Sequence, residues 1–199
     1  MTVSWTKHRF SGGALVFDTT NTVVHRGDAA RSFDRFADPS EISRFAAAAS
    51  SFRAAELGGR PLAVHDAERS APLVLAIREA SDRLFRSAAL SGSMEAAHLP
   101  ALLRACAAGL EEGEGALGAP GMPFGDPSRP LAFEAALAVS ALSLLSGGSL
   151  GRVKICPNCN WLFLDASRNA SRVWCDMAVC GNRHKAKRHY HRNRESADA

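Results

Sequence analysis

Through the first 150 residues, apolar side chains return every three or four positions, the spacing of helices that bury one face. Asp38-Pro39-Ser40-Glu41 offers an N-cap, a proline at the first helical position and a capping glutamate; Ile42, Phe45, Ala49 and Phe52 then share a face until Gly58-Gly59. Pro72 opens a second helix with Leu73, Ile77, Ala80 and Leu84 on its apolar side, and Arg78/Asp82 and Glu79/Arg83 at i,i+4 spacing on the polar side. A third helix follows Pro100 and buries Leu103, Cys106 and Leu110. A fourth follows Pro130, with Leu131, Ala135, Ala138, Leu142 and Leu145 on its apolar side. Residues 14–24 read two ways. Their β-branched content suits a strand, but Leu15, Asp18 and Thr22 fall on one helical face among helical neighbours, so a helix is the expectation. Asp18, Asn21 and Thr22 make a polar trio beside that apolar run, a candidate ligand site; the plainer role is capping or bracing the bundle through hydrogen bonds.

Gly and Pro crowd the stretch from Glu111 to Arg129, which predicts a long loop, and Gly147-Gly148-Ser149 marks a joint. Beyond the joint the pattern changes. Trp161 to Asp165 and Arg172 to Cys175 are short aromatic and β-branched runs joined by the turn-rich residues 166–171, a hairpin signal. Trp161, Phe163 and Trp174 are expected to pack around a metal site in this segment rather than stack on bases. Residues 181–194 contain no proline and regain helical periodicity, with Val179, Ala186 and Tyr190 as one narrow apolar strip.

Composition adds an asymmetry. The 199-residue chain carries a net charge of +4, but residues 151–199 hold ten Lys/Arg against four Asp/Glu while the remainder is net −2. Length and a 46% hydrophobic content suit one ordinary domain plus a small module. No apolar run is long enough to span a membrane, and the N-terminus has no secretory h-region, so a cytoplasmic protein with reduced thiols is expected.

Four of the five cysteines lie within 25 residues: Cys156-Pro-Asn-Cys159, then Cys175 and Cys180 after a gap of fifteen. Two close pairs at this separation suit one tetrahedral zinc ion. A thioredoxin-type redox pair needs a βαβ context that the flanks do not supply, and a catalytic zinc keeps a coordination position open that four thiolates would fill. One structural Zn2+ is therefore expected, without which the segment should unfold locally. Cys106 is expected in the core.

Behind the cysteines stand Arg183, Lys185, Lys187, Arg188, Arg192 and Arg194, six cations in twelve residues with no acid before Glu195. A charged helix face is often only a solvated surface, but like charges at this density repel unless a polyanion is present. Nucleic acid is the partner this implies, with Arg168 and Arg172 assisting from the hairpin. If bases are read, Arg183 and Arg188 have the planar fork for guanine. His184, His189 and His191 read as neutral side chains facing solvent or phosphate. An enzyme using Asp18 with His25 or His65 lacks any nucleophile–base spacing, so no enzymatic activity is expected.

Residues 156–190 closely resemble the bacterial CGNR zinc finger, named for the motif matched by Cys180-Gly181-Asn182-Arg183. In that family the finger ends a chain whose larger part is a helical domain called ABATE, opening with Leu-Asp-Phe-Val-Asn-Thr. Phe17-Asp18-Thr19-Thr20-Asn21-Thr22 is similar to that opening but has Thr-Thr for Phe-Val, and Leu73 to Arg86 also resembles the domain. The resemblance implies stress-induced transcriptional regulation, a finger that binds DNA and a helical domain that senses a small-molecule effector. Together these readings predict a mainly α protein. A helical bundle spans residues 10–148, and a treble-clef-like zinc module with a short hairpin and basic helix spans 150–194. A homodimer is expected through the bundle, since one finger buries little. The alternative is an RNA-associated or protein-docking module with the finger as scaffold.

Overall fold

The computed structural model describes residues 2–111, 124–125, 128–146 and 148–197, the last seven by backbone alone. Most of the predicted loop between Glu111 and Arg129, and Gly147 of the predicted joint, lie outside these residues.

Five helices make the body: α1 (Leu15–Thr20), α2 (Ser40–Phe52), α3 (Ala67–Ser91), α4 (Leu99–Glu111) and α5 (Phe133–Ser143). Three short strand pairs join them. β1 (Val23–Val24) runs antiparallel to β2 (Phe33–Asp34), and β3 (Leu62–Ala63) parallel to β4 (Leu131–Ala132). β5 (Val153–Ile155) runs antiparallel to β6 (Leu162–Leu164), with Lys154 opposite Phe163. A sixth helix, α6 (Asn182–Ala197), ends the described chain. Among the described residues no helix is long and apolar enough to cross a membrane.

Residues 14–24 do contain a helix, and all six residues of α1 are buried at the centre of the body. Asp38 begins α2 as expected, its carboxylate accepting the Ser40 N–H at 3.0 Å. Glu41 does not complete a capping box. It is buried and accepts from the Val3 N–H and Trp5 Nε1–H, each at 2.9 Å, tying down the N-terminal segment.

α3 starts five residues before the proline expected to open it. Asp66 caps it by accepting from the N–H groups of Glu68 and Arg69, and Pro72 lies in the second turn, where its missing N–H leaves the Glu68 carbonyl without its usual helical donor. The predicted Arg78/Asp82 pair also differs: both residues are buried. Arg78 instead makes a fork–fork pair with Asp34, both contacts at 2.7 Å, because burial rewards a bidentate partner over an i,i+4 one. In α4 the buried face is Leu102, Cys106 and Gly109, with Leu103 49% exposed. A Cβ at Gly109 would lie 3.2 Å from the Glu134 carbonyl oxygen, so α4 and α5 meet backbone to backbone there, which turns the helix by one residue from the predicted face.

The predicted hairpin is re-paired. β6 finds its partner in β5, on the N-terminal side of the first cysteine pair, and residues 172–175 form no strand. The period-2 alternation of β6 then serves two cores. Leu162, with Val153, joins the main cluster of Leu15, Phe17, Phe45, Ile77, Phe85 and Phe133; Trp161 and Phe163 turn to a second cluster with the cysteines. Each fully buried phenylalanine contributes roughly 1.5–3 kcal/mol.

Candidate metal centre and basic helix

The turn between β5 and β6 presents Cys156 and Cys159. It is closed by the Cys156 N–H to the Trp161 carbonyl (2.9 Å) and the Asn160 N–H to the Cys156 carbonyl (2.8 Å), with Asn160 in the left-handed region that asparagine tolerates. Cys175 and Cys180 come from the following loop and from a π-helical turn, Met177–Gly181, whose first N–H groups are taken by Asp176. All four sulfurs lie within 4.8 Å of one another, with Cys159–Cys175 at 3.5 Å and Cys175–Cys180 at 3.7 Å. A tetrahedron with Zn–S bonds of about 2.3 Å has edges of about 3.8 Å, so the sulfurs stand where one zinc ion would hold them. The cysteines are free thiols, three buried and Cys159 partly so. Four thiolates complete the coordination shell, and the ion they hold is structural.

Without a cation these sulfurs cannot share charge evenly. Hydrogen bonds from Cys159 and Cys175 push the Cys156 thiol far below its usual range, and the same contacts push Cys159 and Cys175 up. A divalent ion removes that conflict by favouring all four thiolates.

The loop behind the centre is latched by Lys154. Its ammonium donates to Asp165 Oδ2 (2.7 Å), the Arg172 carbonyl (2.9 Å) and the Ala170 carbonyl. Burial alone would raise the Asp165 pKa, yet Lys154, Ser167 and the Arg172 N–H hold it well below the carboxylate range. Arg172, expected to assist in nucleic-acid binding, is built into this frame. Its guanidinium donates to the Cys175 carbonyl and lies 5.1 Å from the Phe163 ring centroid. Arg168 is exposed.

α6 leaves the metal centre through Gly181, where a Cβ would press on the Met177 thioether, and the Trp174 ring lies 4.8 Å from that of His184. Every side chain from Asn182 to Tyr190 is exposed. The predicted apolar strip is therefore not buried: Tyr190 is 60% exposed, because the helix projects past the body instead of lying on it. Arg183, Lys185, Lys187 and Arg188 form no ion pair with any described residue. Arg192 and Arg194 continue the helix, with side chains outside the described set.

Residues 152–193 match the CGNR zinc finger family. The match takes in the hairpin, all four cysteines and most of α6. No curated protein and no solved structure matches the chain.

Of Asp18, Asn21 and Thr22, each spent on bonds inside the protein, Asn21 seats the CGNR finger on the helical body, while Asp18 and Thr22 brace the body itself. Asn21 accepts from the Leu162 N–H (3.0 Å) and donates to the Leu162 carbonyl (2.9 Å), behaving as an extra strand beside β6. Thr22 donates to the Thr19 carbonyl and accepts from Arg78. Asp18 accepts from the Gly12 N–H (2.8 Å) and from Arg53 Nε (2.5 Å); complete burial outweighs that arginine and pushes its pKa up to about 6.

Sequence reasoning missed the seat itself. Gly12 accepts from the Leu164 N–H at 2.7 Å, and Gly13, at φ +83°, lies where a Cβ would be 2.8 Å from the Leu164 carbonyl oxygen. On the other side Arg86 reaches the Asn160 carbonyl at 3.1 Å while paired with Asp82, and the Asn160 side chain donates to the Arg26 carbonyl at 2.9 Å. A glycine pair directly before a buried apolar run was the available signal.

Proposed function

We propose that this protein is a DNA-binding transcription regulator in which the zinc-held CGNR finger presents α6 to the duplex backbone. The observation that carries the reading is the row Arg183, Lys185, Lys187 and Arg188, exposed and without acidic partners among the described residues, on a helix anchored at its N-terminal end by the metal centre. Unopposed like charges cost stability, and phosphates would relieve that cost. Lys185, Lys187, Arg188, Arg192, Arg194 and the exposed Arg168 are assigned to phosphates, with Arg188 the candidate for reading a guanine edge. Arg172 is assigned to the framework, on its bond to Cys175.

In this reading the knuckle, hairpin and helix form a treble-clef-like module, the helical body is an ABATE-type domain that dimerises and takes an effector, and the protein acts in the cytoplasm without catalysing a reaction. Dimerisation would supply the second half-site that one finger lacks. The test is a gel shift of zinc-loaded protein against pooled random duplexes. A shift lost after chelation and after Lys187→Ala with Arg188→Ala is expected; an unchanged shift in both controls would count against the reading. Competition with RNA of matched length separates the alternative, a module that docks on RNA.

A further inference from the structure

A cavity of about 240 Å3 lies at the seam between the helical body and the CGNR finger, and its charged walls come from both. Arg9 comes from the N-terminal segment, His25 and Arg35 from the β1–β2 connection and the start of the loop after it, and Arg183 from the first turn of α6. Neither Arg9, Arg35 nor Arg183 has a carboxylate within ion-pairing distance among the described residues. Asp176, the acid close by, is already taken by His8 at 2.9 Å. Trp161, which is 6% exposed, forms another wall. Its indole Nε1–H is buried and without an acceptor, the ring lying against His8 with the Arg35 guanidinium 5.6 Å from its centroid. His25 adopts φ +51°, a left-handed conformation uncommon outside glycine and concentrated at ligand sites.

We infer that this seam is an oxyanion site for a phosphate-class group, held jointly by Arg9, Arg35 and Arg183 beside the buried Trp161 indole. Guanidinium forks match phosphate oxygens geometrically, and a cavity of this volume is below the size that encloses a drug-like ligand but suits one phosphoryl group. The metal centre offsets only part of this charge. Four thiolates on one divalent ion leave two negative charges next to Cys159 and Cys180, against three guanidiniums. An anion here would bridge body and finger, so it would couple whatever the body senses to the direction of α6. The site stands independently of what α6 binds.

The test follows the Trp161 indole N–H by NMR in the 15N-labelled, zinc-loaded full chain, assigned through Trp161→Phe. Inorganic phosphate is titrated at constant ionic strength against chloride, and a short DNA duplex is titrated separately. The inference expects a saturable shift whose apparent Kd weakens about tenfold in Arg9→Gln and in Arg183→Gln, with zinc content and circular dichroism unchanged. Arg35→Gln should behave alike, but Arg35 also donates to the Asn21 carbonyl, so Arg9→Gln is the deciding variant. Saturation by free phosphate identifies a small anionic ligand; a response to duplex alone, lost in the same variants, identifies a backbone phosphate. Silence in both arms, or a signal that answers only to zinc removal, overturns the inference, because the arginines would then serve only to neutralise the tetrathiolate.

Discussion

Asn21 carries more of this structure than its size suggests, since one side chain satisfies both backbone groups of Leu162, 141 residues away. Asn21→Ala leaves a buried donor and a buried acceptor unpaired, which should cost roughly 2–4 kcal/mol in urea unfolding at unchanged m. A cost below about 0.5 kcal/mol would mean that water replaces the pair. Asp18 sets a different dependence. Its folded-state pKa lies near 6, above the ordinary 3.8, so its contribution is fully present below about pH 4 and is lost as pH rises through 6. Carboxyl 13C NMR should give a midpoint near 6, and one below 3.8 would mean that Arg53 dominates over burial. The sequence marked Asp18, Asn21 and Thr22 as unusual because polar groups interrupt an apolar run. It could not say what they bind, since a strand edge so remote in the chain leaves no local periodicity.

At the scale of elements, the hairpin shows why patterns mislead. Residues 172–175 alternate like a strand, but the Cys156–Cys159 turn folds β6 back on β5, and Gly12 and Asn21 take the outward backbone groups of Leu164 and Leu162. The helices were legible because apolar residues recur at three- and four-residue steps along them, with Asp38 and Asp66 marking two of the starts. Their bounds and registers moved where Asp66 out-competed Pro72, where Leu131 and Ala132 were drawn into a strand beside β3 so that α5 begins at Phe133, where α2 stops at Phe52 short of Gly58, and where Gly109 allowed close approach. The finger's two halves should respond differently to metal loss. β5 and β6 keep Asn21, Gly12 and the main core, whereas residues 171–190 depend on the metal centre. Hydrogen exchange after chelation should therefore lose protection across 176–190 while Leu162 and Leu164 retain theirs; equal loss would make the finger one cooperative unit. Gly13→Ala forces a side chain to φ +83° against Leu164 and should destabilise by about 1–3 kcal/mol, read by thermal unfolding of the zinc-loaded chain.

For the whole molecule, the sequence separates a basic tail from a slightly acidic body, and the structure joins them more tightly than the glycine joint suggested. Val153 and Leu162 of the finger lie in the body's own core. The metal centre was legible in full, because ligand spacing is a local property, while the seat of the finger and the cationic seam depend on contacts between distant segments. The most direct measurement of the central claim, that a zinc-held helix meets a polyanion, is the affinity of the zinc-loaded chain for duplex DNA across a salt series. About six neutralised phosphates predict a log–log slope near −5, falling by about 1 for each of Lys185→Ala and Lys187→Ala. A slope near zero, or one unmoved by these substitutions and by chelation, would contradict the account.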